Sequence, residues 1–177
     1  MPAARIKLMI VGDMGCGKTC LIRRYCEGAF EPRYIPTVCV DYGVRALHLP
    51  VGTEVRANFY DSSGSPAYSL ARGEFYREAE GLLLVFDVCD GGSLGRLSTW
   101  IAEARRCGLR EDIPIVVCGT KTDEASRREV QRSAGEKWVS ERPGATYHEA
   151  SAATGVGVKE SIEALLMASW LESSAKK

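Results

Sequence analysis

The sequence lacks the features that mark several other classes of protein. Only two of its 177 residues are histidines, and its seven cysteines are scattered singly, with no C-x-x-C pair. This pattern gives no zinc-site spacing, and we expect no metal between Cys16 and Cys20, which no histidine or second pair accompanies. Basic and acidic residues balance at 23 each, which excludes a broad basic footprint, so we expect no nucleic-acid partner.

Long apolar runs are also missing. No stretch approaches the length of a membrane span, and Ile6–Val11 is too short for a secretory signal. No cysteine follows Cys118, so we expect no prenyl anchor in this chain. Single cysteines within apolar elements are typical of buried thiols in a reducing compartment. These absences predict a cytoplasmic chain.

Apolar runs alternate with helical patterns from end to end, which predicts one domain over residues 1–177 with a mostly parallel sheet. We expect six strands, at Ile6–Val11, Val38–Leu49, Val55–Tyr60, Gly81–Val88, Ile113–Cys118 and Ala145–Ala150. We expect five helices on both faces of the sheet: Gly17–Cys26, a helix starting at Ser65-Pro66, and the stripes Leu94, Leu97, Trp100, Ile101, Ala104; Val130, Ala134, Trp138; and Val158, Ile162, Leu165, Leu166.

Two of these helices carry cap signals. Ser93 precedes the third helix, and Ser126–Glu129 has the form of a capping box before the fourth. In sheets of this kind the ligand site is built by the loops at the carboxyl ends of the strands. We therefore expect the functional motifs to lie in those loops.

The segment after the first strand fits the P-loop pattern G-x-x-x-x-G-K-[ST]. Its glycines let backbone N–H groups converge on phosphate oxygens at a helix N-terminus. We expect Lys18 to reach the β- and γ-phosphates and the Thr19 hydroxyl to bind Mg²⁺. The pattern alone also occurs in kinases and ATPases. The predicted phosphate-binding residues are Gly12, Asp13, Met14, Gly15, Cys16, Gly17, Lys18, Thr19 and Cys20.

Two later segments favour guanine as the base. Asp123, in Thr120-Lys121-Thr122-Asp123, can accept hydrogen bonds from the ring N–H and exocyclic amine of guanine, whereas adenine presents an acceptor there. The Lys121 stem can cover the purine face. Ser151-Ala152-Ala153 follows the last strand, where the Ala152 N–H can meet the guanine carbonyl. Taken alone, either string could be an ordinary turn.

Asp61, Gly64 and Thr37 complete the expected site. Asp61 follows the third strand and supplies an acidic group behind the metal's own ligands. The Gly64 N–H can touch the γ-phosphate, and the Thr37 hydroxyl can complete the coordination of Mg²⁺. The predicted cofactors are therefore Mg²⁺ and GTP or GDP.

These five segments, in this order and spacing, resemble the Ras superfamily of small GTPases over the whole chain. Tyr34–Tyr42 is similar to the first switch of the Rab branch. Cys39–Val44, Arg72–Tyr76 and Leu83–Val88 are more similar still to the Rab and DnaJ-like (RJL) subfamily, which also lacks the prenyl cysteine. The resemblance implies a monomeric P-loop NTPase G domain that switches between GTP and GDP and binds protein effectors. It also implies an exchange factor as a further partner, and partners that could bring the domain to a membrane or a cilium.

The resemblance also assigns roles to four aromatic residues. It implies that Phe30 packs against the guanine edge. It implies that Tyr42, Tyr60 and Phe75 form an aromatic patch for effectors, with ordinary packing an equally open alternative.

The sequence departs from the family pattern where hydrolysis is carried out. Ser65 stands where the family has the Gln that orients the attacking water, and Ser65-Pro66 instead has the form of an N-cap and first helical residue. Met14 places a long side chain beside the same space. We therefore expect slow hydrolysis, with Lys18, Gly64 and the degenerate Ser65 as the catalytic set.

Three functions stay open at this point. The chain could be a nucleotide-dependent switch, or a hydrolysis-dead, GTP-loaded platform for partners. A P-loop kinase or ATPase is the third, and it conflicts with Asp123. Thr120 also replaces the usual Asn, which is expected to weaken the tie between the base loop and the phosphate loop.

Overall fold

The computed structural model describes residues 4–49 and 52–176, so both ends of the predicted domain lie outside the described residues. Over this part of the chain the predicted six strands and five α-helices are confirmed. Two short 3₁₀ helices, Pro66–Tyr68 and Ala125–Arg127, accompany them. The elements are β1 (Ala4–Val11), α1 (Lys18–Glu27), β2 (Val40–His48), β3 (Glu54–Ser62), α2 (Ser69–Tyr76), β4 (Gly81–Asp87), α3 (Ser93–Arg106), β5 (Ile115–Thr120), α4 (Arg132–Ser140), β6 (Ala145–Glu149) and α5 (Val158–Ala175).

The strands form one sheet in the order β2-β3-β1-β4-β5-β6. Only β2 runs antiparallel, paired with β3 along Val40–His48. The apolar strands β1 and β4 lie in the middle, with Leu8 opposite Gly81, and residues Gly81–Phe86 are all buried. Continuous apolar sequence therefore corresponds to strands covered on both faces.

Helices cover both faces of the sheet over two separate cores. On one face α1 and α5 contribute Leu21, Ile162 and Leu165 to a cluster with β1, β3 and β4. On the other face α2 and α3 contribute Tyr76 and Leu97 to a second cluster. The loops at the carboxyl ends of the strands are left open between these layers.

Both predicted cap signals are wrong. Ser93 is the first residue of α3 rather than its cap, and its hydroxyl lies within hydrogen-bond distance of the carbonyl oxygens of Asp87 and Asp90. The capping box fails because the Glu129 and Val130 N–H groups both donate to the Val88 carbonyl, at 2.9 Å each. These long-range bonds hold that backbone extended, so α4 begins only at Arg132.

The cysteines agree with the prediction only in part. All seven are free, but only Cys16 and Cys118 are buried and the other five are half-buried. Within the described ranges no group of three or more His, Cys, Asp or Glu side chains is placed to hold a metal ion. Among the helices the structure describes, none is long and apolar enough to cross a membrane.

Candidate functional site

A cleft of ≈ 390 Å³ opens at the carboxyl ends of β1, β3, β5 and β6, within the range usual for small-molecule sites. It brings together most residues predicted from the sequence. Ser65 also lines it, whereas the lining does not include Gly12, Asp13, Cys16, Asp61 and Ser151. The predicted nucleotide-binding residues that line it are Met14, Gly15, Gly17, Lys18, Thr19, Cys20, Phe30, Thr37, Gly64, Thr120, Lys121, Asp123, Ala152 and Ala153.

The phosphate loop has a backbone that requires glycine. Gly15 and Gly17 have φ of 72° and 94°, in the left-handed region that other residues avoid. The buried Lys18 ammonium donates to the carbonyl oxygens of Gly12 and Asp13, at 2.9 and 2.7 Å. Because both acceptors are neutral, the Lys18 charge stays available to an anion in the cleft.

Two residues of the phosphate loop, Asp13 and Cys16, have side chains that bond to the rest of the protein. The Asp13 carboxylate points to α3, where it accepts from the Trp100 indole N–H at 2.9 Å and from Arg96 Nε at 2.6 Å. Cys16 is buried and donates to the Val85 carbonyl, and burial raises the pKa of its thiol. Both residues shape the loop, and their side chains do not reach the cleft.

Three side chains meet where Mg²⁺ was predicted. The Thr19 hydroxyl donates to Asp61 Oδ2 at 2.5 Å and lies 2.8 Å from the Thr37 hydroxyl. Asp61 is 3% exposed, and its other carboxylate oxygen has no hydrogen-bond partner. Burial raises the pKa of Asp61 to about 6, although Thr19 and Lys18 act in the opposite direction.

This donor set fits a hard divalent cation. Mg²⁺ prefers oxygen ligands, and a buried carboxylate with an unsatisfied oxygen is costly unless a cation compensates it. Thr19 and Thr37 would hold the ion through their hydroxyls, with Asp61 oriented behind them.

The base end of the cleft is built on β5 and β6. Asp123 Oδ1 accepts from the Ser151 hydroxyl at 2.6 Å, and Ser151 is itself buried and accepts from the Thr154 N–H. Lys121 adopts a left-handed φ of 64°, and its ammonium lies 2.7 Å from Asp87 Oδ2. Ser151, predicted among the nucleotide-binding residues, therefore fixes the Asp123 carboxylate.

Thr120 joins the base loop to the phosphate loop. Its hydroxyl lies 2.5 Å from the Cys16 carbonyl and 2.9 Å from the Phe86 carbonyl, both within hydrogen-bond distance. A direct tie is thus present at the position where the sequence led us to expect a weakened one.

Comparison with known proteins agrees with this arrangement. The Ras family model matches residues 7–170. The chain belongs to the Ras family. Members of this family are small GTPases that bind GTP or GDP with Mg²⁺ and change the order of their switch loops with the nucleotide.

Proteins similar to this Ras-family chain include members of DnaJ homolog subfamily C. The chain is 38% identical over 160 residues to DnaJ homolog subfamily C member 27 of Gallus gallus, and the alignment covers 88% of this chain and 58% of the relative. The Homo sapiens protein of that name is 39% identical, over the same fractions of this chain and of the relative. DnaJ homolog subfamily C member 27-A of Xenopus laevis is 37% identical over 170 residues, 94% of this chain and 62% of the relative. The chain spans about three fifths of the length of these relatives.

The Ras-family aromatic residues are in contact. Tyr42 on β2, Tyr60 on β3 and Phe75 on α2 form a row with ring-centre distances of 5.4 and 5.2 Å. Only Tyr42 is exposed, and Phe75 also packs against the core. Phe30 is 39% exposed and is one of the residues that line the cleft. The structure brings the row together and is compatible with both predicted roles.

The segment around Ser65 departs from the Ras-family pattern in the predicted way. The Ser65 hydroxyl accepts from the Ala67 N–H at 3.3 Å, and Pro66 opens the 3₁₀ helix that leads into α2. The N-cap prediction is confirmed.

Sequence reasoning missed one residue of this segment. Arg72 on α2 is 2% exposed and donates to the carbonyls of Ser63 and Ser65. Its charge partner, Glu103 on α3, is 31 residues away, so no local pattern could have indicated the pair.

Proposed function

We propose that this chain is a Rab-like small GTPase domain of the RJL type that binds GTP and GDP with Mg²⁺ and hydrolyses GTP slowly. The observation that carries the proposal is the Ser65 hydroxyl, which caps a helix at the position where the family orients the attacking water. The domain would therefore spend most of its time loaded with GTP.

The geometry supports slow chemistry in two ways. The Ser65 side chain is short, and its oxygen is already engaged by the Ala67 N–H. The Met14 side chain is 55% exposed and lines the same cleft, where it crowds the space for a water-orienting group. Lys18 and Gly64 remain as groups that contact the transferred phosphate, which accounts for residual rather than zero activity.

The metal would act through residues already in place. Bound Mg²⁺ supplies positive charge that stabilises the β- and γ-phosphate oxygens. Thr19 and Thr37 would hold the ion, and the Thr37 hydroxyl would bring the first switch, residues 30–39, towards it. Loss of the γ-phosphate would release this segment, which keeps nucleotide sensing available to the domain.

The proposed partners are proteins rather than nucleic acid. Tyr34, Ile35, Val38 and Tyr42 are exposed beside the cleft and continue into the row that ends at Phe75. We place effector binding on this surface, with an exchange factor as a second partner, and the monomeric domain in the cytoplasm. A GTP-loaded platform without hydrolysis is the alternative, favoured by the same Ser65 cap.

Replacing Ser65 tests the hydrolysis proposal. Ser65→Gln is expected to raise single-turnover GTP hydrolysis about tenfold or more, because the amide can orient water that serine cannot. Rates would be measured on GTP-loaded protein with excess Mg²⁺. Ser65→Ala is the matched control: it loses the cap, about 1 kcal/mol of stability, and should keep the parent rate. A fast parent that gains nothing from Ser65→Gln would contradict the proposal.

Metal removal tests the Thr19–Thr37–Asp61 site. EDTA is expected to speed release of fluorescent GDP about tenfold or more, because the phosphates and the buried Asp61 carboxylate lose their cation. Thr19→Ala should release GDP as fast even with Mg²⁺ present and respond little to EDTA. A parent whose GDP release ignores EDTA would rule out this metal site.

A further inference from the structure

The second switch segment, residues 61–72, is held by its own turn hydrogen bonds. The Ser65 N–H donates to the Ser63 hydroxyl at 3.2 Å, and the Ala67 N–H donates to the Ser65 hydroxyl at 3.3 Å. The Tyr68 N–H donates to the Ser65 carbonyl at 3.2 Å. Serine hydroxyls commonly close such turns, but each bond is local and weak.

A buried arginine adds long-range support to this segment. Arg72 Nη1 donates to the Ser63 carbonyl at 3.1 Å and to the Ser65 carbonyl at 2.6 Å. These two carbonyls flank Gly64. One guanidinium nitrogen therefore fixes the backbone on both sides of the glycine that would contact the γ-phosphate.

Helix α3 holds Arg72 in turn. Glu103 accepts from Arg72 Nε at 2.6 Å and from Nη2 at 2.7 Å, and it also accepts from the Tyr76 hydroxyl at 2.9 Å. Burial alone would raise the pKa of Glu103, but the hydrogen bonds from Arg72 and Tyr76 outweigh it and lower that pKa. A two-pronged charged pair of this kind fixes orientation as well as position.

Trp100 connects this support to the phosphate loop. The Arg72 guanidinium lies over the indole ring, 4.7 Å from its centre, and the indole N–H donates to the Asp13 carboxylate at 2.9 Å. The second switch segment packs closely against the phosphate loop at Gly64, where an added Cβ would lie 2.3 Å from the Met14 backbone nitrogen. All of these contacts are made by protein groups, and none needs a phosphate.

The first switch has no comparable support. Residues 30–39 form no helix or strand, and Tyr34, Ile35 and Val38 are 57%, 61% and 72% exposed. Two contacts connect it to the site: the Thr37 hydroxyl lies beside that of Thr19, and the Cys39 carbonyl, at its end, accepts from the Ser63 N–H at 2.8 Å. The two segments therefore differ in what holds them.

We propose that Arg72 is a positioning residue that keeps the second switch segment against the phosphate loop whichever nucleotide is bound, so that the first switch alone changes with nucleotide state. This inference rests on the proposed function, since it assumes that the cleft binds GTP and GDP. The usual arrangement, in which the γ-phosphate orders both segments, is replaced here by the Arg72–Glu103 pair.

Hydrogen–deuterium exchange on the parent protein gives the direct test. With GDP and with a non-hydrolysable GTP analogue, peptides covering residues 61–72 are expected to exchange at the same rate. Peptides covering residues 30–39 should slow with the analogue. If residues 61–72 slow as much as residues 30–39 on changing GDP for the analogue, the inference is overturned.

Two variants test Arg72 itself. In Arg72→Lys and in Glu103→Gln, residues 61–72 should exchange faster with GDP and recover with the analogue. Affinity for the analogue should fall about three- to tenfold relative to GDP, because binding must now order the segment. Arg77→Lys, an exposed arginine at the end of α2, is the matched control and should behave as the parent. Equal losses for both nucleotides would indicate a merely structural role and contradict the inference.

The outcomes separate this inference from the proposed function. If the parent binds neither guanine nucleotide at micromolar concentration, the proposed function fails. Exchange at residues 61–72 in the nucleotide-free parent and Arg72→Lys still decides the role of Arg72: faster exchange in the variant supports it, and identical exchange refutes it. Where a variant does not fold, the comparison on the parent alone decides.

Discussion

Asp123→Asn is expected to lower the affinity for GDP about a hundredfold or more. The carboxylate can accept from both the ring N–H and the exocyclic amine of guanine, and losing charge-assisted bonds of this kind costs about 3 kcal/mol. The Ser151 hydroxyl, 2.6 Å away, can still donate to the asparagine oxygen, so the loop should keep its shape. Titration of a fluorescent GDP analogue would measure the loss.

Binding of xanthine nucleotides distinguishes the loss of the guanine contact from a collapse of the whole pocket. Xanthine has a carbonyl where guanine has the exocyclic amine, and an asparagine amide can donate to it. Asp123→Asn should therefore bind xanthosine diphosphate better than the parent does. Ser151→Ala removes only the bond that orients the carboxylate, so its GDP affinity should fall about tenfold at most. Unchanged GDP binding by Asp123→Asn would refute the assignment of the base pocket.

Gly64→Ala is expected to weaken GTP binding selectively and to leave GDP binding nearly unchanged. An added Cβ would lie 2.3 Å from the Met14 nitrogen, 2.5 Å from the Asp13 carbonyl carbon and 2.8 Å from the Gly12 carbonyl oxygen. These are backbone atoms of the phosphate loop, which cannot move aside cheaply. The segment must withdraw, so its N–H no longer reaches a γ-phosphate.

The affinities for GDP and for a non-hydrolysable GTP analogue separate this effect from general damage. In Gly64→Ala the analogue should bind about tenfold more weakly, with GDP affinity within about threefold of the parent. Gly95→Ala on α3 is the matched control, because nothing lies within 4 Å of its added Cβ and alanine is the better helix former. An analogue affinity equal to the parent's in Gly64→Ala would show that this glycine does not approach the phosphate.

The strands and the phosphate loop could be predicted because their signals are local. Burial on both faces requires a continuous apolar run, and Gly81–Phe86 shows this pattern in the bare sequence. The loop around Lys18 needs glycines at fixed spacing for its left-handed turns, and those residues are adjacent in the chain. The cap at Ser65 was also predictable, since serine followed by proline favours that geometry by itself.

The helix starts show where local signals fail. Ser126–Glu129 has the form of a capping box, but the Val88 carbonyl accepts from the Glu129 N–H, which such a box would engage. Backbone bonds to a distant strand end outweigh a side-chain cap of about 1 kcal/mol. The Ser93 hydroxyl is likewise engaged by carbonyls, those of Asp87 at the end of β4 and of Asp90 in the turn that follows.

The sequence by itself determined which groups the cleft holds: the glycine-rich loop before Lys18, the Asp123 carboxylate, and a serine where the family has a glutamine. Only the tertiary structure decided what holds these parts in register. Arg72 lies on α2, Glu103 and Trp100 on α3, and Asp13 in the phosphate loop, and their pairing arises because α2 and α3 pack beside that loop. Bonds between residues far apart in the chain leave no periodic or spacing signal, because their energy depends on packing that the whole fold creates.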